Sequence, residues 1–202
     1  MKKGLFYLLP AAALLQLTAC EPSSFVPKPR GYARIQLPER KYQLFDEPGF
    51  PYSFEYPVYA KVVKDTQFFD ARPENPFWVN LEFPELGGKV YMTYKSIDNQ
   101  RNTFSNLVED AYKLSVYWHS KKADYIYDSV IMGTRHPHVH GVFYTVGGNA
   151  ATANQFYVTD STQNFLRGAL YFDVAPNADS LMPVNNFLKE DMWHLIETLK
   201  WK

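Results

Sequence analysis

Residues 77–83 read Phe77-Trp78-Val79-Asn80-Leu81-Glu82-Phe83. Phe77, Val79, Leu81 and Phe83 alternate with Trp78, Asn80 and Glu82. Successive side chains of a strand point to opposite faces, so this spacing marks a strand with one buried face. Pro84-Glu85-Leu86-Gly87-Gly88 follows as a turn, and Val90 to Tyr94 returns as the second arm of a hairpin. The fold is therefore expected to grow from antiparallel sheet.

Downstream the period changes. From Phe104 the apolar positions are Leu107, Val108, Ala111, Leu114 and Trp118, one stripe of an amphipathic helix. Asn102 or Thr103 can cap its start, and Lys121 and Lys122 sit near its negative end. Four further strands are expected at Asp128–Met132, Val139–Val146, Gln155–Thr159 and Phe165–Asp173. The polar cluster from Asp160 to Asn164 joins the last two as a hairpin loop. A closing helix is expected from about Pro183 to Trp201, with Val184, Phe187, Leu188, Met192, Leu195, Ile196 and Leu199 as its apolar stripe. Pro183 falls in its permissive first turn on this reading. Upstream, Tyr52, Phe54 and Tyr56 alternate with Ser53 and Glu55 until Pro57, which reads as an edge strand running on to Val63. These elements make an α+β fold, an antiparallel sheet flanked by two amphipathic helices. Their order is similar to the PsbP-like α/β/α sandwich, an analogy of topology only. There is no internal repeat.

The N-terminus carries an address. Lys2 and Lys3 precede a mostly apolar stretch from Leu5 to Leu17, and the stretch ends in Leu17-Thr18-Ala19-Cys20. About thirteen residues cannot span a bilayer core that takes about 20 in a helix, so the stretch reads as the h-region of a secretory signal. Leucine, two small residues and then cysteine form a lipobox, cut before Cys20 and acylated on its thiol. Cys20 is the sole cysteine, so once acylated it leaves no thiol for disulfides, catalysis or metal ligation. Each buried methylene contributes about 0.8 kcal/mol, enough for several acyl chains to anchor the protein without a transmembrane helix. No Asp follows Cys20 directly, and Glu21-Pro22 favours delivery to the outer membrane, expected on its periplasmic face with the outward face as the alternative.

Residues 1–19 are thus a signal peptide, 20–40 a lipidated tether and 41–202 one globular domain. Pro22, Pro27, Pro29 and Pro38 keep the tether extended. Its Lys28, Arg30 and Arg34 are solvated or touch anionic head groups. Removing Lys2 and Lys3 with the leader takes the 21 basic residues to 19 against 21 acidic ones. Such a balance supplies no field to neutralise phosphates, which excludes nucleic acid as a partner. The 15 Tyr, 15 Phe and 4 Trp suit sheet packing, and the alternative is an aromatic binding surface.

Candidate sites are few. His136, His138 and His140 would share one face of an extended chain, and three imidazoles can bind zinc or copper. Pro137 opposes regular pairing there, and no acidic neighbour completes a shell. The run reads as a loop entering a strand, with metal ligation as the alternative. Gly147, Gly148 and Asn149 open a small-residue run to Ala153, either a flexible connection or a loop against which a partner packs closely. Asp160 and Ser161 can be drawn into a triad with a histidine, but the turn reading is favoured. No HExxH, GxSxG, phosphate-cradling glycine loop or dinucleotide fingerprint is present. The chain is expected to be neither an enzyme nor cofactor-dependent.

Several stretches carry a resemblance. They are the lipobox at Cys20, Pro27-Lys28-Pro29-Arg30-Gly31-Tyr32, Leu37-Pro38-Glu39, and the runs Gly148 to Ser161, Phe165 to Phe172, Pro176 to Ser180 and Ile196 to Lys202. Together they resemble the gliding-motility lipoprotein GldD family of the Bacteroidetes lineage. The resemblance implies an outer-membrane-associated lipoprotein required for gliding and linked to type IX secretion, with other envelope proteins as partners. It carries over no catalytic residue, and only Cys20 transfers as a defined site. Family members also occur in non-gliding relatives. The competing reading is a lipid-anchored glycan- or ligand-binding module.

Overall fold

The computed structural model describes residues 35–65, 73–98 and 100–202. The leader, Cys20 and the tether as far as Arg34 lie outside the described residues. The chain from Arg34 to Lys202 forms one compact unit.

The elements are β1 (Tyr42–Phe45), β2 (Tyr52–Pro57), β3 (Lys61–Lys64), β4 (Val79–Phe83) and β5 (Gly88–Ser96). Then come α1 (Phe104–Tyr112), continued by a π-helical turn (Lys113–Tyr117), and β6 (Ile126–Ile131), β7 (His140–Val146), β8 (Asn154–Thr159) and β9 (Asn164–Phe172). The chain closes with α2 (Ala178–Thr198) and β10 (Lys200–Trp201). Seven strands pair in the order β3-β4-β5-β9-β8-β7-β6, antiparallel throughout. β1, β2 and β10 form a separate small sheet with β2 in its middle.

The hairpin read from residues 77–94 is present, with Val79 opposite Met92 and Phe83 opposite Gly88. Gly87 supplies the positive φ of 61° that its turn needs. Alternation then sorts the large sheet into two faces. On one, Leu81, Met92, Leu170, Phe156 and Phe143 join α2 residues Leu188, Met192 and Leu195 in the main core. The small sheet closes this core with Tyr52 and Phe54, while Phe45 and Phe50 pack edge to face at 5.2 Å. On the other face, Tyr144, Tyr157 and Phe165 pack against Leu107 and Ala111 of α1. A sheet with a helix on each side is the α+β arrangement the periodicity called for.

Two readings need correction. The segment from Tyr52 to Val63 is not one edge strand. Pro57 ends β2, and β3 begins a different sheet. β2 lies in the middle of its own sheet because Trp201 and Lys200 pair with Tyr52 and Ser53 on its free side. α2 starts five residues earlier than Pro183, at Ala178. Asn177 caps it by accepting from the Ser180 N–H at 3.2 Å, and Asn149 Oδ1 accepts from the Ala178 N–H at 2.9 Å. Pro183 therefore sits in the helix interior. The helix also stops earlier, at Thr198, because Leu199 turns extended to deliver Lys200 and Trp201 to β2.

Candidate functional site

The histidine run does not converge. His140 enters β7, where its Nε2 lies 2.7 Å from Ser161 Oγ. The main chain at His136 forms a turn, its carbonyl accepting from the Val139 N–H at 3.1 Å. The His138 carbonyl accepts from Trp201 Nε1 at 3.1 Å. Among the described residues no three His, Cys, Asp or Glu side chains gather as metal ligands would.

The His140–Ser161 pair resembles part of a triad, and Ser161 is strained, with a φ of 64°. The acid that would complete the triad is committed elsewhere. Asp160 Oδ1 accepts from the Thr162, Gln163 and Asn164 N–H groups at 2.9, 2.8 and 2.8 Å, and Oδ2 accepts from Asn164 Nδ2 at 2.7 Å. These bonds hold its carboxyl below the ordinary value despite burial. The geometry serves the β8–β9 turn.

The small-residue loop is used inside the chain. A Cβ on Gly147 would lie 2.2 Å from the Tyr125 ring, and Gly148, at a φ of 84°, backs onto Asp124. Asn149 is spent on the start of α2. The close approach that these glycines permit is therefore made by Tyr125 and Asp124.

The most distinctive chemistry lies beneath α1. Thr103 caps this helix by accepting from the Asn106 N–H at 3.2 Å, and after Tyr112 the helix loosens into the π turn. Such turns are rare and frequently mark functional sites. Here the turn buries Ser115, whose Oγ donates to Gln155 Oε1 at 3.2 Å. Gln155 Oε1 also accepts from Arg167 on the neighbouring strand β9. Between helix and sheet lies a cavity of ≈ 330 Å³. Leu107, Ala111, Leu114 and Trp118 line its helix side, and Trp78, Thr93, Phe165 and Arg167 its sheet side. No carboxylate pairs with Arg167 among the described residues, and its Nε has no acceptor. Burial lowers its pKa, yet a guanidinium starting above 12 stays protonated. Two more buried nitrogens nearby lack partners, Gln155 Nε2 and His119 Nδ1. Sequence patterning missed this site, although an arginine in the middle of the apolar strand Phe165 to Phe172 was a visible anomaly.

A second polar cluster binds the start of the domain to α2. Asp191 is 1% exposed. It accepts from Tyr42 Oη at 3.0 Å and Tyr59 Oη at 2.5 Å, while Arg40 Nε lies 3.4 Å away. Arg40 also meets Glu190 at 2.8 Å and lies over the Phe187 ring at 4.3 Å. Tyr42 stacks on His194 at 3.5 Å, and His194 Nε2 is 2.7 Å from Glu55. All members have partners, so the cluster is a lock. It fixes where the tether enters the fold.

Among the described residues no helix is long and apolar enough to cross a membrane. At the mouth of the pocket, Leu114 and Trp118 continue into an exposed apolar surface with Tyr112 and Tyr117, Tyr117 and Trp118 lying edge to face at 5.3 Å. A second apolar surface follows the edge strand β6 through Tyr127 and Val130 to Met132.

The model of the family described as gliding motility lipoprotein GldD matches residues 22–201. No curated protein matches the sequence. Among solved structures, the solution structure of cyanobacterial PsbP (CyanoP) from Synechocystis sp. PCC 6803 is similar at 13% identity and a TM-score of 0.43. That match covers 84% of this chain and 98% of the other.

Proposed function

This chain belongs to the gliding motility lipoprotein GldD family, and from that membership we propose that it is a lipid-anchored, non-enzymatic part of the gliding and type IX secretion machinery, working by contact with other envelope proteins. Membership supports a membrane-anchored place in the envelope. The finer assignment, to the outer membrane, rests on the lipobox at Cys20 and the residues after it. Acylation of Cys20 holds the molecule at the bilayer, and the proline-rich tether spaces the domain from it.

The observation that carries the contact reading is the exposed aromatic surface on α1 and its π turn. Trp118 is 68% exposed, and large aromatic side chains left in water are the usual anchors of protein interfaces. The same surface would suit a sugar ring, so the test separates the two. Cys20→Ala should abolish lipidation, gliding and secretion together. A Tyr117→Ser/Trp118→Ser protein that remains folded and lipidated should lose co-purifying envelope proteins. Normal movement and secretion by the Cys20→Ala strain, or turnover of a substrate by the purified protein, would refute the proposal. Binding to a glycan array, lost in the double variant, would replace it with the glycan reading.

A further inference from the structure

We propose that the cavity beneath the π turn is a binding site for a single carboxylate carried on an apolar body, with Arg167 as its anchor. The argument starts from an imbalance. Burying a guanidinium is costly unless an anion or enough acceptors compensate it. Arg167 has one neutral acceptor, Gln155 Oε1, which it shares with Ser115. Its Nε has none.

The neighbouring orphans point the same way. Gln155 Nε2 and Arg167 Nε are donors, so each lacks an acceptor. The bond from Arg167 fixes the orientation of the Gln155 amide, because a guanidinium can only donate. His119 Nδ1 is the third unpartnered nitrogen, on a ring whose pKa is lowered by burial first and by Arg167 less, and an imidazole nitrogen can accept as well as donate. Among the described residues the other unpartnered buried side-chain atoms are asparagine oxygens, at Asn80, Asn154 and Asn185. Two unmet donors, one of them on a half-buried guanidinium, call for an acceptor with negative charge. A carboxylate fits the fork of a guanidinium in two parallel bonds.

The rest of the cavity selects the body and limits the charge. Leu107, Leu114, Phe165 and Trp118 offer apolar walls. The size falls at the lower end of small-ligand sites. Lys95 and Lys113 at the rim are already paired, with Glu74 at 3.0 Å and Glu109 at 2.6 Å. Asp110 adds a negative charge at the cavity wall. A phosphate with two charges is therefore disfavoured, and one carboxylate matches the one uncompensated cation. Either a free carboxylic acid or the C-terminus of a peptide ending in an apolar residue carries this chemistry. The proposal goes beyond the contact reading and does not depend on it.

The test uses the full lipidated chain in phosphatidylcholine nanodiscs and isothermal titration. The free-acid probe is 4-phenylbutyrate, with 4-phenylbutanamide as its neutral match. The peptide probe is acetyl-Ala-Ala-Phe with a free or amidated C-terminus. At least one acid should bind ten-fold or more tighter than its amide, and which acid does so identifies the source. Arg167→Met should remove that preference. Ala111→Leu, which fills the cavity from the helix and leaves Arg167 in place, should abolish binding of both acids while keeping the native unfolding midpoint. Equal binding of acid and amide, or an acid preference that survives in a folded Ala111→Leu protein, would overturn the proposal.

Discussion

Arg40 Nε lies 3.4 Å from Asp191 Oδ1, joining the chain just ahead of β1 to the inner face of α2. Burial pushes the Asp191 carboxyl above its ordinary value, outweighing the bonds from Tyr59, Tyr42 and Arg40 that favour ionisation. The folded protein then holds this proton more tightly than the unfolded chain. Between the ordinary aspartate range, about 4, and the raised folded value, stability falls as pH rises. Asp191→Asn removes that contribution. Urea unfolding of both proteins across acid pH should show the difference between them moving against wild type as pH increases. A difference that stays flat would show that the carboxyl titrates alike in both states.

Arg40→Ala tests the lock from its other side. The substitution removes the ion pairs to Glu190 and Asp191, the hydrogen bond to the Phe187 carbonyl at 3.1 Å and the stacking on the Phe187 ring. Hydrogen bonds to charged groups contribute about 1.5–3 kcal/mol, so a loss of about 2 kcal/mol is expected in urea unfolding. Lys at the same position should recover less than half. It keeps the charge but lacks the planar fork that reaches Glu190, Asp191 and Phe187 together.

Two glycines in the same hairpin should respond differently to alanine. A Cβ on Gly141 would lie 1.9 Å from the Tyr157 carbonyl oxygen, and that oxygen belongs to a strand held on both sides. The backbone cannot yield, so Gly141→Ala should lose about 3 kcal/mol, the upper range for overpacking. A Cβ on Gly147 meets the Tyr125 ring, which is 48% exposed and can swing aside. About 1 kcal/mol is expected there. Thermal unfolding of the two variants checks the order.

The sequence made the secondary structure legible where apolar residues recur at the period of a strand or a helix. That holds even at β4, whose polar face is buried too, with Asn80 and the preceding Trp78 each 8% exposed. The alternation of 77–83 and the stripe from Leu107 to Trp118 placed β4 and α1 well. Periodicity failed where an element's end is set by a distant partner. Nothing local says that Trp201 leaves the helix, because its reason is the free side of β2 at Tyr52. Nor does Pro183 reveal that Asn149 and Asn177 together start α2 upstream of it. The candidate site was hidden for the same reason. Arg167 and Gln155 become neighbours through strand pairing, and the cavity above them exists because α1 widens at Lys113.

Pro183 is itself testable. Inside α2 it lacks the N–H that would bond the Asp179 carbonyl, and an interior proline costs a helix about 3 kcal/mol. Proline also restricts the unfolded chain, offsetting up to about 1 kcal/mol. Pro183→Ala should therefore raise stability by about 2 kcal/mol in urea unfolding. No gain would mean that the helix bends at this point to pack, and that the bend itself contributes to the core.

The two edges of the large sheet differ in a way that bears on partners. β3 is short and begins and ends with Lys61 and Lys64, charges that discourage a further strand from adding. β6 has neither lysine nor proline, and it carries Tyr127 and Val130 into Met132, the last two being 69% and 76% exposed. Asp128 is its one charge, and an edge so lightly guarded is the kind of surface to which an extended segment of another chain adds. A photo-crosslinking residue at position 127 should therefore capture an envelope protein in cells, while one at position 63 on β3 should not. Val130→Lys with Met132→Lys should erase the crosslink from 127. Because both side chains already lie in water, the double variant should keep its unfolding free energy within about 0.5 kcal/mol of wild type. Equal capture from both edges would remove β6 from consideration, leaving the aromatic surface on α1 as the place of contact.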